Sequence, residues 1–416
     1  MAVGRSITLL STYYENVGDD LIRIGVQRQI RDALEGRVRW RHVAKSNLLS
    51  LHLPKSRATH APLARMPADE QRAAAALTSA LRGAGSFVED KLERADAFVV
   101  AGTPIFYFVG DRSFVGVEAA YGADWPRRIF AERVESRPAL PMLALGVGSI
   151  YEGTAADVLA AHPAAAQFIR RFVQRAALVT TRDAPTDDLL RTACPGHGAR
   201  IMRSVCPSFW AAETLHAAAP APQRRVAISF ALESVNWDLS APRETVVAAR
   251  ECAFSRVITY FRARSYAIAL LAHNEYDLAA AAGVAQRRGL PPPVLVDART
   301  LVDEAARSEV VVSWRVHGAV AARSMGRPAL LFRTDSRWQT AAELGAEIAD
   351  DRTASKEELQ TVLDGLCARA ASDPAETHAA AGAMRAAEFA RLRASLAAAL
   401  RSGGGDELVR MRSSDG

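Results

Sequence analysis

The chain of 416 residues contains very little lysine: only four of its 52 basic residues are lysines, and the rest are arginines. The arginines are scattered among acidic residues, with no basic run and none of the basic and aromatic platforms that nucleic-acid-binding modules show. We therefore predict no nucleic-acid partner, despite a net charge of +6. This mild positive excess fits an anionic small substrate and peripheral contact with the inner face of a membrane equally well.

Long hydrophobic runs and patterned cysteines are also missing. No apolar stretch approaches the roughly 20 residues needed to cross a bilayer, and the apolar part of the N-terminus is too short for a signal peptide. Cys194, Cys206, Cys252 and Cys367 show no CxxC spacing and no histidine at metal-ligand spacing. We predict free thiols, no metal site and a cytoplasmic location.

Short apolar runs alternate with helical patterns along the whole chain, which is typical of parallel α/β sheets. The length is too great for one ordinary core and favours two domains. A helix is predicted from about Asp19 to Leu34. The predicted strands are Ser6–Ser11, Ala97–Ala101, Pro141–Leu145, Ala177–Thr181, Val226–Phe230, Tyr266–Ala272, Val294–Val296, Val310–Ser313 and Ala329–Phe332.

The predicted domain break is the stretch AAAPAPQR at residues 217–224, after which the strand and helix pattern restarts. We predict an α/β fold of two Rossmann-like domains that face each other across a cleft. The first spans residues 1–216, with an insertion near 45–95, and the second spans 225–345. A helical tail at 346–402 and a disordered end at 403–416 complete the chain.

The most informative stretch begins where the strand Val310–Ser313 ends, with Ser313, Arg315 and His317 within five residues. Ligands of open α/β sheets bind at the carboxyl ends of the strands. A guanidinium and an imidazole at such a point indicate an anion site beside a proton donor. An isolated pair of this kind is also compatible with a structural role.

Two further steps from strand to helix carry polar residues. Asn16, Gly18 and Asp19 open the first helix, where either polar side chain could cap it while free N–H groups face a ligand. Arg182 and Asp183 follow another strand. Asp183 is a good N-cap, whereas a guanidinium binds a carboxylate or phosphate through two parallel hydrogen bonds.

Glycines and one histidine mark the remaining strand ends. Gly102 follows one predicted strand, and Gly146 and Gly148 follow the next, where they let a backbone approach a ligand. His273 and Glu275 follow a strand of the second half. Each of these residues alone is more often structural than functional.

Taken in order, these motifs resemble the polysaccharide pyruvyl transferase family. The order is an N-x-G-D turn from Asn16, a strand end with glycine, Arg182-Asp183, the proline turn Cys206-Pro207, and S-x-R-x-H from Ser313. Gly326 and Pro328 then supply a G-x-P step. The resemblance covers roughly residues 6–335 and implies a glycosyltransferase-B-like fold.

The resemblance also has three departures. The family commonly shows a glycine run where this chain has residues 101–103, Asp-Pro where it has Cys206-Pro207, and a lysine where it offers Arg333 and Arg337.

The resemblance implies transfer of the enolpyruvyl unit of phosphoenolpyruvate to a sugar hydroxyl or diol, with release of phosphate, in cell-surface glycan synthesis. His317 is then the general acid, with Arg315 and Arg182 as anion clamps. Asp19, His273 and Glu275 are candidates for the base. Asn16, Gly18, Gly102, Gly146, Gly148 and Ser313 line the site. The expected acceptor is a sugar, a nucleotide sugar or a lipid-linked glycan. No cofactor is expected. The sequence is compatible with an oligomer.

Two other functions remain open at this point. On the same fold, a glycosyltransferase would hold the diphosphate of a nucleotide sugar with the same arginines and use His317 as a base. Alternatively, the chain is a non-catalytic glycan-binding member of the family, against which the retained arginines and histidine argue.

Overall fold

In a computed structural model, the chain is described at residues 5–12, 16–35, 38–44, 91–102, 104–109, 112–115, 125–215, 221–231, 242–371 and 374–401. Most of the predicted insertion, the linker residues 217–220 and the predicted disordered end at 403–416 lie outside these ranges. Within them, no helix is both long enough and apolar enough to cross a membrane. All four cysteines are free, as predicted.

The chain forms two compact units. The first comprises residues 1–204 and 390–416, and the second comprises residues 205–389. This division precedes the predicted break at 217–224, because the helix Ser208–Leu215 packs within the second unit: Glu213 forms an ion pair with Arg385 at 2.7 Å. Residues 346–389, predicted as part of a separate tail, also belong to the second unit.

The first unit contains an eight-stranded sheet in the order β2-β1-β3-β6-β4-β5, with β7 paired to β6 and β8 paired to β7. All pairs are parallel except β4 with β5. Its elements are β1 (Arg5–Ser11), α1 (Val17–Leu34), β2 (Val38–Ala44), β3 (Ala97–Ala101), β4 (Pro104–Val109), β5 (Arg112–Ser113), a π-helix (Pro126–Val134), β6 (Met142–Ile150), α2 (Ala155–Ala161), α3 (Pro163–Arg175), β7 (Leu178–Thr181), α4 (Ala184–Ala193), a 3-10 helix (Pro195–Arg200) and β8 (Ile201–Arg203).

The second unit contains a six-stranded, all-parallel sheet in the order β11-β10-β9-β12-β13-β14. Its elements are α5 (Ser208–Leu215), β9 (Gln223–Ser229), α6 (Arg243–Ala263), β10 (Ala267–Ala272), α7 (Glu275–Arg287), β11 (Val294–Leu295), α8 (Ala298–Arg307), β12 (Ser308–Ser313), α9 (Val316–Ser324), β13 (Ala329–Phe332), α10 (Trp338–Ala342), β14 (Glu347–Ala349), α11 (Lys356–Ala370) and the start of α12 (Pro374–Arg401), which ends in the first unit.

This strand order is that of the Rossmann fold, with its topological switch point between β9 and β12. The two strands run in register so that Ser229 pairs with Ser313 at their carboxyl ends. Ligands of such sheets bind in the crevice outside the switch point. The motif Ser313–His317 therefore begins at the position where the fold places a ligand.

Each sheet is buried in its own apolar core. In the first unit, Phe168 and Phe172 of α3 pack on one another and on Phe106 of β4 and its neighbours. In the second, the Trp314 ring stacks on Phe332 with centroids 4.2 Å apart. The Trp314 Nε1–H donates to Asp351 at 2.9 Å. The residue between Ser313 and Arg315 is thus a core residue that anchors the turn.

Several predicted boundaries differ from those in the structure. The strand predicted over Pro141–Leu145 continues as β6 to Ile150, because its pairing with β7 shifts register between Ala144 and Val147 and resumes beyond Gly146. The first helix begins at Val17 rather than Asp19.

The G-x-P step of the motif serves packing. Gly326 has a φ of +72°, and a Cβ there would lie 2.6 Å from the backbone N of His378 in α12. Only glycine fits both the left-handed backbone and this close approach. Gly326 therefore allows α12 to pack closely against the turn before β13.

Candidate active site

In the first unit, glycines let neighbouring backbones approach closely where β3 ends beside the middle of β6. Gly146 has a φ of +67°, and its N–H donates to Thr180 Oγ1 at 2.7 Å. A Cβ on Gly102 would lie 1.8 Å from the Gly146 carbonyl oxygen. Gly102 and Gly146 thus interlock, and each has a steric reason to be glycine.

Arg182 follows β7 directly, and its side chain is fully buried. All three guanidinium nitrogens lack a hydrogen-bond partner within the described ranges. The guanidinium lies over Gly148, where a Cβ would be 2.5 Å from Nε and 2.7 Å from Cζ. The nearest carboxylate oxygen, Asp183 Oδ2, is 3.5 Å from Nε.

A buried guanidinium without hydrogen bonds is costly, since even a buried ion pair needs additional hydrogen bonds to repay its desolvation. An oxyanion would supply them through the two-pronged geometry that guanidinium groups favour. Arg182 is therefore the strongest candidate for an anion-binding residue in the first unit.

Asp183 has the capping role that its position predicts. Its Oδ1 accepts from the backbone N of Thr186 at 3.0 Å and also from the Thr186 hydroxyl. It thereby caps α4 and is only 1% exposed. The capped helix fixes Asp183, and with it the chain on which Arg182 sits.

At the start of α1, Asn16 is the N-cap. Its Oδ1 accepts from the N–H of Gly18 at 2.9 Å. Gly18 is buried, whereas Asp19 is half-buried in the first turn of the helix. Asn16 and Gly18 therefore shape the helix start, and Asp19 is the one of the three predicted residues that carries a carboxylate.

In the second unit, the turn between β12 and α9 is closed by Ser313. Its hydroxyl donates to the Arg315 carbonyl at 2.6 Å and accepts from the Arg315 N–H at 2.9 Å. The Ser313 hydroxyl, predicted to face a ligand, is thus engaged with the backbone. The N-cap position of α9 is Arg315 itself, and no side chain caps the helix.

The first turn of α9 approaches both strand ends closely. A Cβ on Gly318 would lie 2.4 Å from Ser313 Oγ and 3.0 Å from Ser229 Oγ. The absence of a side chain at Gly318 therefore sets the uncapped end of α9 against the switch point. Uncapped helix N-termini favour anions through their free N–H groups and the helix dipole.

The Arg315 guanidinium forms a two-pronged ion pair with Asp277 of α7. Nε donates to Oδ2 at 2.9 Å, and one terminal nitrogen donates to Oδ1 at 2.7 Å. The other terminal nitrogen makes no hydrogen bond to the described residues. Arg315 is thus a partly satisfied cation, in contrast to Arg182.

His317 lies in the first turn of α9 and is 8% exposed. Its Nε2 is 4.0 Å from Sγ of Cys206, which also lies 3.0 Å from the Ser208 hydroxyl. The thiol is 1% exposed. The chain thus places a thiol beside the imidazole nitrogen.

His273 is buried after β10, with Nε2 3.1 Å from Ser229 Oγ and Nδ1 without a partner in the described ranges. Burial, helped by the positive charge of Arg315, lowers the pKa of His273 to about 3. The ring is therefore neutral in cells and is a poor base. Glu275, half-buried at the first position of α7, makes no hydrogen bond within the described ranges.

Gly102, Gly146, Gly148 and Arg182 lie together in the first unit, at the end of β3, within β6 and directly after β7. Asn16, Gly18 and Asp19 lie at the start of α1. The predicted residues of the second unit lie where β10 and β12 end and the next helices begin. The sequence did not single out Asp277, Ser229 or Gly318. Asp277 could have been predicted as a site residue, because it follows His273 by four residues and lies in the first turn of α7.

The two arginines that stand where a lysine was expected are both ion-paired. Arg333 contacts Asp350, and Arg337 contacts Asp335. Among the residues that the structure describes, no group of three histidine, cysteine, aspartate or glutamate side chains is placed to hold a metal ion.

Residues 16–336 match the family model of polysaccharide pyruvyl transferases. No curated protein sequence matches the chain. Among solved structures, a UDP-N-acetylglucosamine 2-epimerase from Listeria monocytogenes is similar with a TM-score of 0.51 and 12% identity, over 99% of this chain and 96% of that chain. A UDP-GlcNAc 2-epimerase from Methanocaldococcus jannaschii, in complex with UDP-GlcNAc and UDP, gives a TM-score of 0.48 and 12% identity over 89% and 94%. The first likeness confirms the predicted glycosyltransferase-B-like α/β class.

Proposed function

Because the chain belongs to the polysaccharide pyruvyl transferase family, we propose that it transfers the enolpyruvyl unit of phosphoenolpyruvate to a sugar diol and releases phosphate. Family membership, predicted from the motifs, makes the chain a transferase. The ketal product, the donor and the roles of individual residues belong to the proposal.

The observation that carries the proposal is the buried guanidinium of Arg182 over Gly148, which makes no hydrogen bond to the described residues. Phosphoenolpyruvate presents a carboxylate and a phosphate, and either would supply the acceptor oxygens that Arg182 lacks. The uncapped start of α9 with Arg315 offers a second place for an anion.

The reaction balances when two protons are taken up and two are released. A sugar hydroxyl adds to C2 of phosphoenolpyruvate and loses its proton to a base, while C3 takes a proton to become a methyl group. Phosphate then leaves with the C2–O bond electrons and takes up a second proton, and a second hydroxyl closes the ketal with loss of its own proton. The products are a pyruvyl ketal and inorganic phosphate.

His317 is the residue we assign to the proton at C3. An imidazole can exchange protons near neutral pH, which suits a general acid. His273, with its pKa lowered to about 3, is unsuited to receive the hydroxyl proton at cellular pH. Asp19 and Glu275 remain as the candidate bases, since both carboxylates are only half-buried.

The acceptor in this proposal is a sugar, a nucleotide sugar or a lipid-linked glycan, and the reaction takes place in the cytoplasm. Four free thiols suit a reducing compartment. The net charge of +6 suits an acceptor displayed at an anionic membrane surface.

Ligand-induced stabilisation tests the donor directly. A ligand that binds only the folded state raises its stability with concentration. We expect phosphoenolpyruvate to raise the melting temperature of the wild type but not of Arg182→Ala, whereas any stabilisation by a UDP-sugar that binds as the acceptor should be the same in both. Stabilisation by UDP-sugars alone would instead support a nucleotide-sugar glycosyltransferase, and stabilisation by neither would contradict the proposed donor.

A further inference from the structure

Both carboxylate oxygens of Asp277 accept a hydrogen bond from Arg315. Oδ2 accepts from Nε at 2.9 Å and Oδ1 accepts from a terminal nitrogen at 2.7 Å. The Asp277 side chain is 1% exposed and the Arg315 side chain is 16% exposed. Such a parallel pair fixes the plane of the guanidinium as well as its position.

Asp277 is itself held firmly by the local backbone. It lies in the first turn of α7, and its N–H donates to Oδ1 of Asn274, the N-cap residue. Because α7 follows β10 and Arg315 follows β12, the ion pair ties together two strand ends on either side of β9. The guanidinium therefore has one orientation at the switch point.

The ion pair of Asp277 with Arg315 also determines the net charge near the start of α9. The negative charge of Asp277 offsets that of Arg315, which leaves one terminal nitrogen of Arg315 and the uncapped start of α9 to meet an anion. Arg182, in contrast, has no hydrogen-bonded partner within the described ranges. The site at Arg315 in the second unit therefore carries less net positive charge than a site around an arginine without such a carboxylate partner.

We propose that Asp277 is a positioning residue that orients Arg315 and weakens phosphate binding at the start of α9, so that phosphate leaves after transfer. This inference rests on the proposed function, in which phosphate is a product. A product site with an unpaired, fully charged arginine would hold phosphate more tightly and slow its release. Asp277 thus lowers the affinity for phosphate and thereby speeds its release.

The test replaces Asp277 with the neutral, nearly isosteric asparagine. In Asp277→Asn the charge of Arg315 is no longer offset, and removing one nearby negative charge strengthens anion binding. We expect the Kd of inorganic phosphate, measured by calorimetry on the full chain, to fall roughly three- to tenfold. The kcat for phosphoenolpyruvate turnover should fall at the same time, with stronger product inhibition by phosphate.

Two variants serve as controls. Glu251 of α6 forms an ion pair at 3.2 Å with Arg287, which lies on α7 with Asp277. Glu251→Gln removes this carboxylate and should leave the phosphate Kd unchanged. Asp277→Glu keeps the charge and should keep a Kd near that of the wild type. A purely structural ion pair predicts weaker or unchanged phosphate binding in Asp277→Asn, and that result would overturn the inference.

If Asp277→Asn does not fold alone, the comparison can be made on Arg315→Gln. Adding Asp277→Asn to Arg315→Gln removes a buried charge that has lost its partner, so the double variant should be more stable and should bind phosphate more tightly than Arg315→Gln. No tightening would overturn the inference. A wild type that neither binds phosphate nor releases it from phosphoenolpyruvate would contradict the proposed function itself.

Discussion

The guanidinium of Arg182 rests on Gly148, close enough that a methyl group on Gly148 would lie 2.5 Å from Nε. The same guanidinium is fully buried and makes no hydrogen bond to the described residues. The glycine thus makes room for a charge whose hydrogen bonds remain to be supplied. The pairing explains why β6 carries glycine at this position.

Replacing Gly148 with alanine should therefore impair donor binding more than folding. The new Cβ forces the guanidinium away from its present position, and we expect the KM for phosphoenolpyruvate to rise by about tenfold or more, since hydrogen bonds to charged groups contribute roughly 1.5–3 kcal/mol each. Steady-state kinetics measure the change. Gly196→Ala is the matched control, because nothing lies within 4 Å of a Cβ there; equal effects in both variants would contradict this account.

Arg182→Lys should rescue little of the activity that Arg182→Ala loses. An ammonium keeps the charge but cannot form two parallel hydrogen bonds, and it is not planar enough to lie over Gly148. We expect both variants to lose about 10- to 100-fold in kcat/KM for the donor. A lysine variant with near-native kcat/KM would show that charge alone suffices.

His317→Ala should remove most turnover while donor binding persists. General acid–base catalysis contributes about 10²–10⁴-fold, so kcat should fall by that factor with a donor Kd close to the wild-type value. His378→Ala, at a half-buried histidine of α12, is the control and should retain activity. If His317→Ala kept more than about half of the wild-type kcat, His317 would be a packing residue.

The buried His273 should make stability depend on pH. Its folded pKa of about 3 lies below the unfolded value of about 6.5, so between these values the unfolded chain binds more protons than the folded one. The stability of the folded state should therefore be lost as the pH falls below about 6.5, by up to about 1.4 kcal/mol per pH unit. Denaturant unfolding at pH 7.5, 6.5 and 5.5 measures this, and His273→Gln should flatten the slope; identical slopes would argue against a neutral buried ring.

Gly326→Ala should destabilise the second unit. The left-handed φ of +72° and the contact of 2.6 Å with α12 both oppose a side chain, and we expect a loss of about 1–3 kcal/mol in the free energy of unfolding. Gly365→Ala in α11 is the control, because a Cβ there meets nothing closer than 3.8 Å and alanine favours a helix. Equal stability of the two variants would contradict the packing role.

Local patterns in the sequence were enough to predict the elements around the site. The apolar run before Ser313 and the Asp183 cap gave β12 and α4 correctly, because burial and capping leave signals within a few residues. The end of β6 was missed because Gly146 reads as a strand terminator, whereas here it forms an irregularity within a longer strand.

Long-range partners left no such signal. Nothing near Arg315 in sequence shows that Asp277, 38 residues earlier, neutralises it, and nothing near Arg182 shows that its guanidinium makes no hydrogen bond to the described residues. The contact of His317 with Cys206 joins residues 111 positions apart. These relationships arise from sheet topology, which places distant strand ends side by side.

The most direct test of the central claim is to follow both products of one reaction. The full chain is incubated with ¹³C-labelled phosphoenolpyruvate and a panel of glycosides that carry free diols, and phosphate and glycan-bound ¹³C are measured together. The account predicts that one labelled pyruvyl ketal forms for each phosphate released, and that Arg182→Ala produces neither. Release of UDP from a nucleotide sugar, with no labelled carbon on any glycoside, would contradict it.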